Sequence, residues 1–151
     1  MRPRKKSADG FVCACATARH VARLLTQMYD ESLRDVGIQA PQFALLMTID
    51  TLGPASQAAL GRRHALDKTT ISRNLRLLER KGWIETAPGA DRRQRRFTLT
   101  PGGRRRLAAA KPAWQKAQER LRAAMSEQEW DAMFRAFRAV AQAARGTASI
   151  D

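Results

Sequence analysis

The sequence predicts a mainly α protein with one small β-hairpin, an α+β chain. Three observations predict it. Apolar residues recur at helical steps of three and four through most of the 151 residues. Capping Ser, Thr and Asp residues, early prolines and terminal glycines divide that pattern into six helices. One stretch, 83–99, breaks the helical period and carries aromatic and β-branched residues on both sides of a Pro-Gly turn. A hydrophobic content of 44% suffices for a core, and the length is that of one ordinary domain.

Residues 1–8 are basic and are expected to form a disordered tail, with 9–151 a single domain. Asp9 can cap a first helix that runs to about Asp35. Its apolar seam is Phe11, Cys15, Ala18, Ala22, Leu25 and Tyr29, and Gly37 ends it. Pro41 suits the first turn of a second helix, which buries Phe43, Leu46, Met47 and Ile49 and stops at Gly53-Pro54. Residues 56–65 make a short helix. Its small Ala58, Ala59 and Gly61 suit a close helix crossing.

Asp67 is a good N-cap for the fourth helix. Ile71, Leu75 and Leu78 form its inner stripe, and Thr69, Arg73, Arg76 and Arg80 its outer stripe. Both obey the helical period, so one face packs while the other stays free. Gly82 closes the helix. Residues 83–86 and 96–99 pair as a hairpin, turned by Pro88, Gly89 and Ala90, with 91–95 at its tip. Thr100-Pro101 starts a fifth helix carrying Leu107, Ala110, Trp114, Ala117, Leu121 and Met125. Ser126 and Glu129 form a capping box for a last helix that buries Trp130, Phe134, Phe137, Ala141 and Ala144. The seams at the two ends of the chain exceed what one small core covers. A twofold homodimer is the expected remedy.

The formal net charge is +14, which suggests a polyanionic partner. Residues 61–106 hold 14 Lys/Arg and 4 Asp/Glu, so +10 of that charge sits in under a third of the chain. The region with the regular arginine stripe and the basic hairpin is therefore the region to place against a duplex. A helix fits the major groove, and a basic loop reaches phosphates or the minor groove beside it. No apolar run approaches the roughly 18 residues of a membrane span, and no apolar segment after the basic start suggests a signal peptide. With only a Cys-x-Cys pair, a disulfide framework is excluded. A cytoplasmic, nucleoid-associated protein with reduced thiols is expected, and no membrane partner.

Three blocks carry a family resemblance: Asp67-Lys68-Thr69-Thr70-Ile71-Ser72-Arg73; Leu77-Leu78-Glu79-Arg80-Lys81-Gly82-Trp83-Ile84; and Asp91-Arg92-Arg93 followed by Phe97-Thr98-Leu99-Thr100-Pro101-Gly102. Together they resemble the MarR family of bacterial winged helix-turn-helix regulators over about residues 11–145. The resemblance implies a winged helix-turn-helix lobe at about 41–100, flanked by dimerisation helices at about 9–36 and 101–145. It implies that the helix at 68–81 enters the major groove, with Thr69, Thr70 and Arg73 facing DNA. Lys68, Arg76 and Arg80 on the same helix join that DNA-binding set. Arg93 matches a wing arginine that reaches the minor groove, Asp91 the acid that orients it, and Arg92, Arg95 and Arg96 add phosphate contacts. Arginine and threonine suit these roles chemically. The chain departs from the pattern at Arg63-His64-Ala65, where a second apolar residue is usual. The implied partners are double-stranded operator DNA, a second copy, and a small effector, often an aromatic acid, that releases a repressor from a pseudo-palindromic site.

Two other functions stay open. Cys13 and Cys15, near the positive end of the first helix and followed by Arg19, are candidate sensing residues for oxidants or soft metals and metalloids. Against this, residues two apart on a regular helix point about 160° apart and cannot bridge each other. The plain alternative is two small thiols buried in a dimer seam. The second is an architectural DNA-binding protein with little sequence preference. His64 and His20 read as structural residues. No HExxH, phosphate loop or GxSxG is present. Asp30-Glu31 and Gly102-Gly103 have simpler readings as a solvated pair and a helix start, so neither an enzyme, a catalytic residue, a metal site nor a cofactor is expected.

Overall fold

A computed structural model describes residues 13–87 and 93–148. The elements run α1 (Ala14–Leu33), a 3-10 turn (Arg34–Val36), α2 (Ala40–Leu52), β1 (Ala55–Ser56), α3 (Gln57–His64), α4 (Lys68–Arg80), β2 (Ile84–Thr86), β3 (Arg96–Leu99), α5 (Pro101–Ala123) and α6 (Glu127–Ala148). The expected order of six helices and a hairpin is present. The predicted cap Asp9, the tail and the seam residue Phe11 lie outside the described residues.

The sheet differs from the expected two-stranded hairpin. It has three strands in the order β1-β3-β2, all antiparallel. Ile84 pairs with Leu99, Glu85 with Thr98 and Thr86 with Phe97, while Ala55 pairs with Phe97 from the other side. The two residues of β1 are too few to show a period of two, so only the returning β3 could reveal them.

The chain divides into two compact units, residues 1–114 and 115–151. In the first, one core gathers Leu33, Ile38, Phe43, Leu45, Leu46, Ile49, Leu60, Ile71, Leu75, Leu78, Trp83, Ile84, Phe97, Leu99 and Leu107. Met47, expected inside, is half-buried, and Leu45, which the spacing left out, is buried. Phe43 stacks on Trp114 with centroids 5.7 Å apart. The N-terminus of α2 is capped twice: Gln39 and Gln42 form a reciprocal box, and Asp30 accepts a 2.6 Å hydrogen bond from the Ala40 amide. One half of the Asp30-Glu31 pair thus has a structural task.

In the second unit, the capping box is present: Ser126 Oγ accepts from the Glu129 amide, and Glu129 accepts from the Ser126 amide at 2.9 Å. The Ser126 amide first, and then the Ser126 hydroxyl, which donates to the same carboxylate oxygen at 2.8 Å, hold the Glu129 carboxyl below the usual carboxylate range. Trp130 is buried under Arg122, whose guanidinium lies 5.5 Å from the ring. The expectation that α6 buries its whole stripe is corrected within one chain. Phe134 is 39% and Phe137 48% exposed, and Ala141 and Ala144 are exposed. The α1 seam behaves alike: Cys15, Ala18 and Ala22 are exposed. Each helix thus carries an apolar face that is partly exposed among the described residues.

Candidate nucleic-acid interface

The local sequence makes α4 a two-faced helix. Asp67 caps it, accepting from the Thr70 amide at 2.8 Å and from the Thr70 hydroxyl at 2.6 Å. These bonds, the hydroxyl first, hold the Asp67 carboxyl below its ordinary range. Ile71, Leu75 and Leu78 are each at most 2% exposed and anchor the inner stripe. The helix closes on Gly82 at φ 69°, a left-handed conformation that glycine adopts without strain.

α3 lies against α4 at a close crossing. A Cβ on Gly61 would come 3.2 Å from the Leu66 carbonyl, which is why a small residue sits there. Ser56 caps α3 by accepting from the Ala59 amide at 3.2 Å. The turn between the helices passes through Ala65 at φ 51°, the one non-glycine residue with positive φ among those described. At the departure from the family pattern, Arg63 points to solvent and His64 takes the polar option, 3.0 Å from Thr48 Oγ1. Thr48 already donates to Ala44 O, so it accepts from His64 Nε2–H. Burial first, then the charge of Arg63, hold the imidazole below its usual range. This is the structural role expected of it.

Outward, Lys68, Thr69, Arg73, Arg76 and Arg80 line one open groove of about 450 Å³ along α4. Thr69, Arg73, Arg76 and Arg80 are exposed, and among the described residues no carboxylate pairs with Lys68, Arg73, Arg76 or Arg80. Such a row of unneutralised cations at helical spacing suits a polyanion that follows the helix. Ser72 and Gln57 line the same groove and were not read from the sequence. Ser72 is displaced from the arginine stripe, and Gln57 belongs to α3 and enters only through the helix crossing. Thr70, expected to face DNA, is not among the residues lining this groove, and its hydroxyl is committed to the Asp67 cap.

The hairpin sorts its arginines by role. Arg95 donates to Glu79 at 2.6 Å and to Thr86 at 3.1 Å, and lies over the Phe97 ring at 5.2 Å. It therefore ties the wing to α4, although its side chain keeps substantial exposure. Arg96 donates to the Pro54 carbonyl at 3.3 Å and so joins the wing to the loop before β1. Neither tie is visible in sequence, because both partners are remote. Arg93 is exposed near the tip. Asp91 and Arg92 lie outside the described residues.

At the chain's start, Cys13 is the N-cap of α1 with extended backbone, φ −86° and ψ 120°, while Cys15 lies in the first turn. Both thiols are exposed. One sequence-based expectation changes here. The cysteines are not both on a regular helix, so the 160° argument does not apply to them, and their exposure in a single chain leaves both the sensing and the dimer-seam readings open.

Helix-turn-helix plus a hairpin wing, with a basic outer face on the second helix of the motif, defines a winged helix-turn-helix DNA-binding protein. The comparisons with known proteins name the family. Residues 36–94 match the MarR family model. The Mycobacterium tuberculosis transcriptional regulator MosR, solved in complex with DNA, is 35% identical, with 89% of this chain and 98% of that one covered and a TM-score of 0.81. AbfR, solved in its reduced form bound to DNA, is 26% identical over 89% of this chain and 93% of that one, with a TM-score of 0.72. The uncharacterized HTH-type regulator YwoH of Bacillus subtilis strain 168 is 26% identical over 78% of this chain and 85% of its own length. This chain belongs to the MarR family of DNA-binding transcriptional regulators. No helix among the described residues is long and apolar enough to cross a membrane.

Proposed function

We propose that the protein is a homodimeric repressor that reads a pseudo-palindromic operator with one α4 per half-site and is released by a small aromatic acid. The observation that carries DNA reading is the row Lys68, Arg73, Arg76 and Arg80, which has no carboxylate partner among the described residues. MosR, similar over nearly its whole length, is solved on DNA. Thr69 and Arg73 read base edges; Arg76 and Arg80 hold phosphates; Arg92 and Arg93 serve the wing, with Asp91 orienting Arg93; Arg95 and Arg96 chiefly fix the wing's position. Dimerisation is supported by the exposed Val21 and Leu24 of α1 and Phe134, Phe137 and Val140 of α6. An aromatic acid suits a cavity of about 980 Å³ beside α4, where Ala58, Leu66 and Ile71 offer apolar walls and Arg62, Lys68 and Arg95 offer charge. Binding there would act by favouring the DNA-free arrangement.

The test is a titration on DNA upstream of the protein's own gene against a scrambled fragment at physiological salt. A preference of about a thousandfold or more is expected. Arg73→Ala should reduce that preference by about 1–3 kcal/mol. Equal binding of a genome-wide set of fragments, with a steep salt dependence throughout, would favour the architectural reading instead.

One observation favours a second trigger. Cys13 sits outside the helix beside an exposed Cys15, and AbfR binds DNA in its reduced form. A peroxide would take two electrons and two protons from the thiols, leaving a disulfide and yielding an alcohol and water. Serine at both positions should then abolish peroxide release and spare DNA binding. Unchanged release in that variant sinks the thiol reading.

A further inference from the structure

A second basic cluster lies at the joint between the end of α4 and the start of α5, apart from the groove along α4. Its cavity of about 310 Å³ is lined by Lys81, Gly82, Trp83, Gly102, Arg105 and Arg106. Two of the cations are held in place rather than waving in solvent. Lys81 Nζ lies 4.8 Å and the Arg106 guanidinium 5.2 Å from the centre of the same Trp83 ring. Arg106 is further tethered by donating to the Val36 carbonyl. Lys81, Arg105 and Arg106 line the same small cavity beside that ring. Among the described residues no carboxylate pairs with any of them, and Glu79, the acid on α4 closest in sequence, is taken by Arg95.

The joint itself is rigid. The Thr100 hydroxyl donates to the Gly82 carbonyl at 2.6 Å and accepts from the Gly103 amide at 2.9 Å, and the Thr100 amide donates to Trp83 O at 3.1 Å. These bonds fix the backbone from which the three cations project. Like charges lining one cavity, with no carboxylate partner among the described residues, suit an anion. A single carboxylate would neutralise one of three charges. A phosphate group carries up to two negative charges and offers acceptor oxygens in several directions, which matches one ammonium and two guanidinium forks.

We infer that this pocket is a phosphate-binding site held by Lys81, Arg105 and Arg106, separate from the reading face of α4. It requires neither a second copy of the chain nor an aromatic-acid effector. Because Lys81 caps α4 and the arginines belong to α5, a phosphate there fastens the end of the reading helix to the helix that follows the wing. The phosphate has two available sources. One is a free phosphorylated anion. The other is the backbone of the same duplex, since Arg80 lines the α4 groove and the next residue, Lys81, lines this pocket.

The experiment compares Lys81→Ala/Arg105→Ala with a charge-matched control, Arg135→Ala/Arg138→Ala, in the full chain. Arg106 is left alone because it also holds Val36. Inorganic pyrophosphate is titrated calorimetrically without DNA, and upstream DNA is titrated over a range of salt. Binding of one pyrophosphate per chain, weakened at least tenfold in the first variant and unchanged in the control, assigns the site to a free anion. Loss of DNA affinity in the first variant alone, with the salt slope reduced by about one or two, assigns it to the DNA backbone. Arg105→Glu, at an exposed side chain, provides the same readings should the double variant fold poorly. Parity between the pocket variants and the control in both titrations overturns the inference.

Discussion

The α4 region and α6 carry apolar stripes of the same helical spacing, yet only the first is covered within one chain. Ile71, Leu75 and Leu78 are at most 2% exposed, whereas Phe134 and Phe137 are 39% and 48% exposed. Their opposite faces also differ in consequence. The outer face of α4 is a row of cations lining an open groove, and it needs an anion. The apolar face of α6 needs another apolar surface. The reading head is thus ordered by its own chain's core, while the arm's last aromatic residues pack edge-on in a row: Trp130 against Phe134 at 5.2 Å, and Phe134 against Phe137 at 6.4 Å. Two requirements on one molecule, one electrostatic and one hydrophobic, can be broken separately.

The largest expected effect comes from the arm. Phe134→Asp/Phe137→Asp should give a monomer by sedimentation and weaken operator binding about a hundredfold or more, with the helical circular dichroism retained. A variant that stays dimeric would remove the aromatic face of α6 from the interface. On the lobe side, Gly103 backs directly onto Trp83, and a Cβ there would overlap the Trp83 carbonyl. Alanine in a helix is ordinarily better than glycine by about 1 kcal/mol. Here Gly103→Ala should instead cost about 2–4 kcal/mol, read from the urea midpoint. An unchanged midpoint would mean that the joint between β2 and α5 is soft.

Smaller effects probe the turn between α3 and α4. Ala65 holds φ 51°, so Ala65→Gly should raise the melting temperature, by up to about 1 kcal/mol in stability. A fall would show that the turn is set by packing rather than backbone strain. The smallest effect is a pH slope. Burial keeps His64 neutral in the folded chain more readily than in the unfolded one. Its contribution is therefore present above the ordinary imidazole value of about 6.5 and is lost as pH falls through the lowered folded value. Urea titrations at about pH 7.5 and about pH 5 should show wild type losing more stability than His64→Gln, which can still donate to Thr48. Equal losses would place the acid sensitivity elsewhere.

Much of this was legible along the chain because it is local. A cap acts on the amide three residues on, as Asp67, Thr100 and Ser126 do, and a stripe repeats every three or four residues, as on α4. The cation row on α4 is the same kind of information. What was not legible depends on residues far apart in sequence. β1 exists because β3 returns beside it. Arg95 and Arg96 are committed to Glu79 and Pro54, 16 and 42 residues away. Gln57 enters the groove only through the crossing of α3 and α4. Cys13 and Cys15 were placed on one helix by periodicity, but the helix begins between them.

The sequence by itself determined the order of six helices and the hairpin, the caps of α3 to α6, the two-faced α4 and the excess of positive charge over 61–106. Local hydrogen bonding and helical periodicity act over a few residues and need no knowledge of the fold. Only the tertiary structure decided which arginines are spent inside the lobe and which face solvent, which apolar stripes are left uncovered, and that Lys81, Arg105 and Arg106 meet around Trp83. Those outcomes depend on which surfaces the close-packed core brings together, and packing is settled among residues that the chain itself keeps far apart.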